Sequence, residues 1–103
     1  MSYRNLEAVR SIIKDATGLD VTYAYEDLVF PEHGAFMVQF DDKNHNNFFC
    51  YFHPDCNPRD KDEIYKQLTE TSSRNKFSIE NKGKFLLRQK GEDIEISFSR
   101  SLL

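Results

Sequence analysis

Five consecutive apolar or aromatic residues, Phe48-Phe49-Cys50-Tyr51-Phe52, constrain the fold of this chain more than any other segment. Such a run is typical of a β-strand, in which successive side chains point to opposite faces of the sheet. Both faces of this strand are therefore apolar, and each of them needs a cover. Either a curled sheet buries both faces within one chain, or an exposed aromatic patch is left for a partner.

A first helix is predicted at about residues 4–17. Ser2 is placed to cap its start, and Gly18 stands where a left-handed residue ends a helix. The apolar residues follow the three- and four-residue spacing of one helix face. They are Leu6, Val9, Ile13 and Ala16.

A second helix is predicted at about residues 59–72, and its start has two alternatives. Either Asn57 caps it, with Pro58 at the first helical position, or Asp60 caps it, with Glu63 closing a capping box. Its apolar stripe is narrow, so most of its surface is expected to face water. The stripe consists of Ile64 and Leu68.

The remaining apolar runs alternate as strands do, and they predict a sheet of five or six strands. In the first run the side-chain parity changes after Tyr25, which predicts a bulge or break near Glu26-Asp27. Glycine-containing turns at 81–83 and 90–92 predict two hairpins near the C-terminus. The strand segments are 21–25 with a continuation through 28–30, 36–40, 47–53, 76–80, 84–89 and 93–99.

These elements follow the order α-β-β-β-α-β-β-β, which indicates two similar units of a helix and a three-stranded meander. Short connections favour antiparallel neighbours. We therefore expect an α+β fold, an antiparallel sheet with both helices on one face. The chain has 103 residues and a net charge of −3, and we expect one domain over residues 1–103. No apolar run is long enough to span a membrane, and the first residues are polar and charged, unlike a signal peptide. Two cysteines do not make a disulfide framework. We therefore expect a cytoplasmic protein without membrane contact.

A small acidic chain with the element order α-β-β-β-α-β-β resembles the type III secretion chaperones. That family dimerises and binds unfolded effector proteins, so the resemblance implies a homodimeric, chaperone-like protein. The chain departs from the family in lacking its usual third helix.

The residues that could act in catalysis or bind a metal do not form the pattern of a catalytic or metal site. Cys50, His53 and Cys56 have the spacing C-x-x-H-x-x-C, and thiolates and imidazoles are the ligands that zinc prefers. However, a structural zinc site needs four ligands, and strand alternation puts Cys50 and His53 on opposite faces. The paired carboxylates are neighbours in the chain and do not face each other. We therefore expect no catalytic residues, no metal and no cofactor.

Basic residues are concentrated in the segment 74–91, where six of them accompany only one acidic residue, Glu80. A basic hairpin of this kind is able to follow a phosphate backbone, which makes a nucleic-acid-binding accessory protein the alternative function. Lysines at a sheet edge also protect it against aggregation. We favour edge protection and expect no nucleic acid partner.

The favoured function is a non-enzymatic protein-interaction or small-ligand-binding module, with a protein partner or a second copy of the chain. The aromatic half of the sheet, within residues 23–52, is expected to present the binding surface. The predicted binding residues are Met37, Phe48, Tyr51 and Phe52.

Overall fold

The computed structural model describes residues 6–99, except for the side chain of Ile94. It consists of two α-helices and a six-stranded sheet whose strands lie in sequence order. The predicted α+β fold is thus confirmed, while the predicted cap at Ser2 lies outside the described residues. The elements are α1 (Leu6–Thr17), β1 (Val21–Tyr25), β2 (Leu28–Pro31), a 3-10 turn (Glu32–Gly34), β3 (Phe36–Phe40), β4 (Asn47–Phe52), α2 (Pro58–Arg74), β5 (Ser78–Lys90) and β6 (Asp93–Ser99).

The order of the elements is α-β-β-β-β-α-β-β, so the predicted division into two similar units is wrong. The first strand run breaks at the turn of Glu26 and Asp27, where Glu26 has a φ of 54°, and it becomes two strands. The break itself was predicted from the change of parity. What the sequence did not reveal is that the chain reverses there and pairs β1 with β2.

The hairpin predicted at 81–83 is also wrong, because this segment lies inside the single strand β5. In the pairing of β5 with β4, Cys50 lies opposite Asn81 and Tyr51 lies opposite Gly83. Lys82 is therefore the extra residue of a β-bulge, and Gly83 supplies a φ of 130°. A bulge and a turn draw on the same small and polar residues, which explains the mistaken hairpin.

The sheet is mixed, although most of its strand pairs are antiparallel. Strands β3 and β4 pair antiparallel across a short loop, as predicted, and the pairs β1–β2, β2–β3 and β5–β6 do the same. Strands β4 and β5 are parallel instead. The reason is their connection, because the chain returns through α2 before it enters β5.

Both helices pack on one face of the sheet, and local signals set their ends. Gly18 ends α1 with a φ of 78°, and its amide donates to the carbonyl of Lys14 at 2.8 Å. Asn57 begins α2, because its Oδ1 accepts from the amide of Arg59 at 2.8 Å. Of the two predicted caps, the structure has the Asn57 one. The core between helices and sheet includes Val9, Ile12, Ile13, Val38, Phe48, Cys50, Phe52 and Leu68.

The opposite face of the sheet, here called the second face, has its own buried cluster to which no helix residue belongs. At its centre Met37 is fully buried and Tyr51 is 9% exposed. The pairing of β5 with β4 ends at Lys84, and beyond this point β5 pairs only with β6. The hairpin formed by residues 85–96, here called the C-terminal hairpin, curls over the second face and places Phe85 and Ile96 against this cluster. A curled sheet therefore buries both faces of β4 within the chain.

Candidate functional site

The four predicted binding residues are all buried. Phe48 and Phe52 face the helices and are 0% and 1% exposed. Met37 and Tyr51 lie opposite each other in the pairing of β3 with β4 and face the second face. The expectation that these side chains are exposed is wrong, because the helices cover one face of β4 and the C-terminal hairpin covers the other.

The two most exposed aromatic side chains among the described residues lie instead on the edge strand β1, while Phe98 on β6 is 43% exposed. Tyr23 and Tyr25 are 58% and 54% exposed, and both point to the second face. The ring of Tyr23 lies nearly parallel to that of Tyr25, with centroids 6.4 Å apart, and 5.9 Å from the ring of Phe30 on β2. The three rings form one continuous aromatic surface at this end of the sheet.

This aromatic surface is one wall of a groove whose other wall is the C-terminal hairpin. The groove has a volume of about 500 Å³. Its residues come from chain segments at opposite ends of the sheet, which the curling of the sheet brings together. Tyr23, Tyr25, Phe30, Leu87, Asp93 and Ile96 line it.

Asp93 also lines the groove, at the start of β6, but strand alternation puts its side chain on the face opposite Leu87 and Ile96. Lys90 lies opposite Asp93 in the pairing of β5 with β6, but its Nζ is 3.8 Å from the carboxylate of Glu95. Within residues 6–99, no hydrogen bond or ion pair engages the carboxylate of Asp93. The side chains that line the groove are therefore mainly aromatic and aliphatic.

A chain of hydrogen bonds fixes the turn between β1 and β2, the two strands that carry the aromatic wall. The hydroxyl of Tyr51 donates to Oε1 of Gln39 at 3.0 Å, and Nε2 of Gln39 donates to Oδ2 of Asp27 at 2.9 Å. The carbonyl of Asp27 also accepts from the amide of Phe40 at 2.9 Å. These bonds tie the β1–β2 turn to the middle of the sheet, so the aromatic wall is held in place.

The potential metal ligands do not converge. Cys50 lies in the core below the helices, where burial raises the pKa of its thiol to about 12. His53 points to the other side of the sheet, with its ring 5.7 Å from that of Phe85. The Sγ of Cys56 is 3.8 Å from the carbonyl oxygen of Asn57. In the described part of the chain, no three His, Cys, Asp or Glu side chains are grouped to hold a metal ion.

The basic segment 74–91 does not form a hairpin of its own, because it runs from the last residue of α2 through the whole of the single strand β5. Lys82 lies over the ring of Phe49, at 4.6 Å, and near the carboxylate of Glu80, at 3.9 Å. The aromatic rings of the segment are engaged in the interior: Phe77 stacks on Phe48, and Phe85 is buried. Neither ring is free to stack on a nucleic acid base.

The sequence matches no known protein family, and neither a curated protein nor a solved structure matches it. The similarity to type III secretion chaperones depended on an element order that the structure does not have. No helix within the described residues is long and apolar enough to cross a membrane.

The residues of the groove were only partly evident from the sequence. Tyr23 and Tyr25 belong to the aromatic half of the sheet that the sequence analysis singled out. Leu87 belongs to the predicted strand 84–89, and Asp93 and Ile96 belong to the predicted strand 93–99. The alternation of apolar and polar residues along β5 and β6 indicated which side chains share a face. Nothing local indicated that these strands meet β1 across a groove.

Proposed function

We propose that this protein is a non-enzymatic binding module that holds an apolar group in the groove between β1 and the C-terminal hairpin. The group belongs to a small ligand or to a partner protein. The observation that carries the proposal is the exposure of large apolar side chains on both walls: Tyr23, Tyr25 and Leu87 are 58%, 54% and 49% exposed. At the centre of the second face, by contrast, Met37 and Tyr51 are buried.

The size and lining of the groove support this function. Pockets for small ligands commonly have volumes of about 300–1,000 Å³ and are mostly apolar with few polar groups. A tyrosine that is half exposed leaves roughly 100 Å² to bury, which is worth about 2–3 kcal/mol. Two tyrosines and a leucine together contribute about 6–8 kcal/mol against a cost of association of at least about 4 kcal/mol, so we expect weak binding, with dissociation constants of about millimolar.

Two adjacent leucines provide a matched test. Leu87 lines the groove, whereas Leu86 points to the opposite face, and their exposed fractions are similar at 49% and 41%. The neutral apolar dye Nile red is titrated into the protein and its fluorescence is measured. We expect Leu87→Ser to weaken dye binding several-fold and Leu86→Ser to leave it unchanged, with circular dichroism spectra as a control for folding.

Other outcomes would refute the proposal. If the unmodified protein does not bind the dye, or if both serine variants lose it equally, the groove is not a specific apolar site. The nucleic-acid alternative predicts retention on DNA that added salt abolishes, and loss of that retention on changing Lys82, Lys84 and Lys90 to Glu. Such a result without dye binding would favour the alternative function.

A further inference from the structure

We propose that the groove and the free edge of β1 together hold an extended peptide segment of a partner protein, which pairs with β1 as an added strand. This segment has apolar side chains at alternate positions and basic residues at its ends. The inference rests on the proposed binding function and names the class of partner. It depends on three features of β1, which are its free edge, its uncharged composition and the acidic residues at both of its ends.

The first feature is the free edge. Strand β1 is the first strand of the sheet and pairs with β2 alone. In an antiparallel pair, alternate residues direct their N–H and C=O groups away from the partner strand, and among residues 6–99 those of β1 meet no further strand. The side chains leave this edge open as well, because every residue of β1 after Val21 is exposed. An edge of this kind is a template to which a peptide adds as a further strand.

The second feature is the composition of the edge. Natural proteins protect an edge strand with charged side chains or proline, which oppose pairing. Strand β6, at the other end of the sheet, carries Asp93 and Glu95. Strand β1, with the sequence Val-Thr-Tyr-Ala-Tyr, has neither a charge nor a proline. A bulge at Thr22 leaves Tyr23–Tyr25 in regular pairing with β2, so we expect a short partner strand.

The groove selects the side chains of the partner segment. A strand paired with β1 directs every second side chain to the second face, where these side chains lie beside Tyr23 and Tyr25. Across the groove they meet Leu87 and Ile96. Because both walls are apolar or aromatic, apolar side chains at alternate positions gain most from these contacts.

The third feature is the charge at the two ends of β1. Asp20 precedes the strand, Glu26 follows it, and both are exposed. Two copies of β1 paired antiparallel about Tyr23 would place Asp20 of each copy opposite Glu26 of the other, and like charges in opposite positions are destabilising. Lys14 lies 3.0 Å from Asp20, but within residues 6–99 no ion pair engages Glu26 or the adjoining Asp27. The edge therefore favours a segment with basic ends over a second copy of the chain.

The test uses two synthetic peptides with the same core, Val-Tyr-Val-Tyr-Val, flanked on both sides either by lysines or by glutamates. Binding to the full chain is followed by amide chemical-shift changes in NMR titrations, and hydrogen exchange reports the protection of backbone amides. We expect the lysine peptide to bind about tenfold more tightly than the glutamate peptide, and this preference to fall as salt is added. The bound peptide should slow the exchange of amides within Val21–Tyr25.

Two controls separate the edge from its charge. Methylation of the backbone nitrogens of the lysine peptide keeps its side chains but removes its donors, so it should weaken binding about tenfold or more. Glu26→Gln should weaken binding of the lysine peptide several-fold, whereas Glu70→Gln, which changes an exposed carboxylate on α2, should not. Both positions are exposed, and circular dichroism checks that each variant is folded.

The outcomes distinguish this inference from the proposed function. If Nile red binds through Leu87 but the lysine peptide does not bind, or if the methylated peptide binds equally well, the edge inference is wrong while the apolar groove stands. If light scattering shows a dimer of the free chain whose β1 amides are already protected, a second copy occupies the edge and the inference is also wrong. If neither peptide nor Nile red binds, both proposals fail.

Discussion

Replacing Phe85 by Ala tests whether the C-terminal hairpin closes the second face of the sheet. Phe85 is 2% exposed and belongs to the same buried cluster as Leu28, Met37 and Tyr51. It is the first residue of β5 beyond the pairing with β4. Its ring is the fully buried side chain of the hairpin in this cluster, and the partly buried Ile96 packs beside it.

The expected loss of stability follows from this burial. Truncation of a fully buried Phe to Ala costs about 3–5 kcal/mol, through lost burial and the cavity that remains. The whole chain, with 103 residues, is expected to have an unfolding free energy of about 5–15 kcal/mol. The substitution should thus remove at least about a fifth of the stability and lower Tm by roughly 12 °C or more.

The assay is urea unfolding followed by circular dichroism, with Leu86→Ala as the matched control. Leu86 is the next residue, points to the opposite face and is 41% exposed, so its truncation should cost only about 1 kcal/mol. If Phe85→Ala loses no more stability than Leu86→Ala, the hairpin does not pack against the second face, and the groove that depends on it would not exist.

Further predictions concern the cysteines and the helix cap. Burial raises the pKa of the Cys50 thiol from 9.0 to about 12. Between these two pH values the thiol is therefore neutral in the folded protein and ionised in the unfolded chain. Its contribution to stability is full below pH 9 and is lost as the pH rises towards about 12, so Cys50→Ser should reduce the loss of unfolding free energy in the alkaline range above pH 9. A thiol reagent should modify Cys56 but not Cys50 in the native protein, as counted by mass spectrometry, and both after unfolding. Changing both cysteines to Ser should leave metal content unchanged in protein purified without chelator. Asn57→Ala should cost about 1 kcal/mol in thermal unfolding, whereas Asp60→Ala should cost less, since the side chain of Asn57 caps α2.

Several elements of this fold were predictable from the sequence because they depend on neighbours in the chain. The three- and four-residue spacing of apolar residues specified α1, and Gly18 ended it. The Asn57-Pro58 signal and the alternation of 36–40 specified the start of α2 and the strand β3. The side-chain parity located the break at Glu26-Asp27, and the double-sided strand β4 required two covers.

The tertiary structure alone decided what forms those covers and where the exposed aromatic residues lie. A single extra residue, Lys82, changes the face to which the rest of β5 points, so Ile79 packs towards the helices and Phe85 towards the second face. That bulge and the parallel return through α2 depend on pairing with β4, which is distant in the chain. The same curling buries Met37 and Tyr51 and brings Tyr23 across from Leu87. Local periodicity specifies which residues share a face of a strand, but contacts between distant strands decide whether that face is covered, and by what.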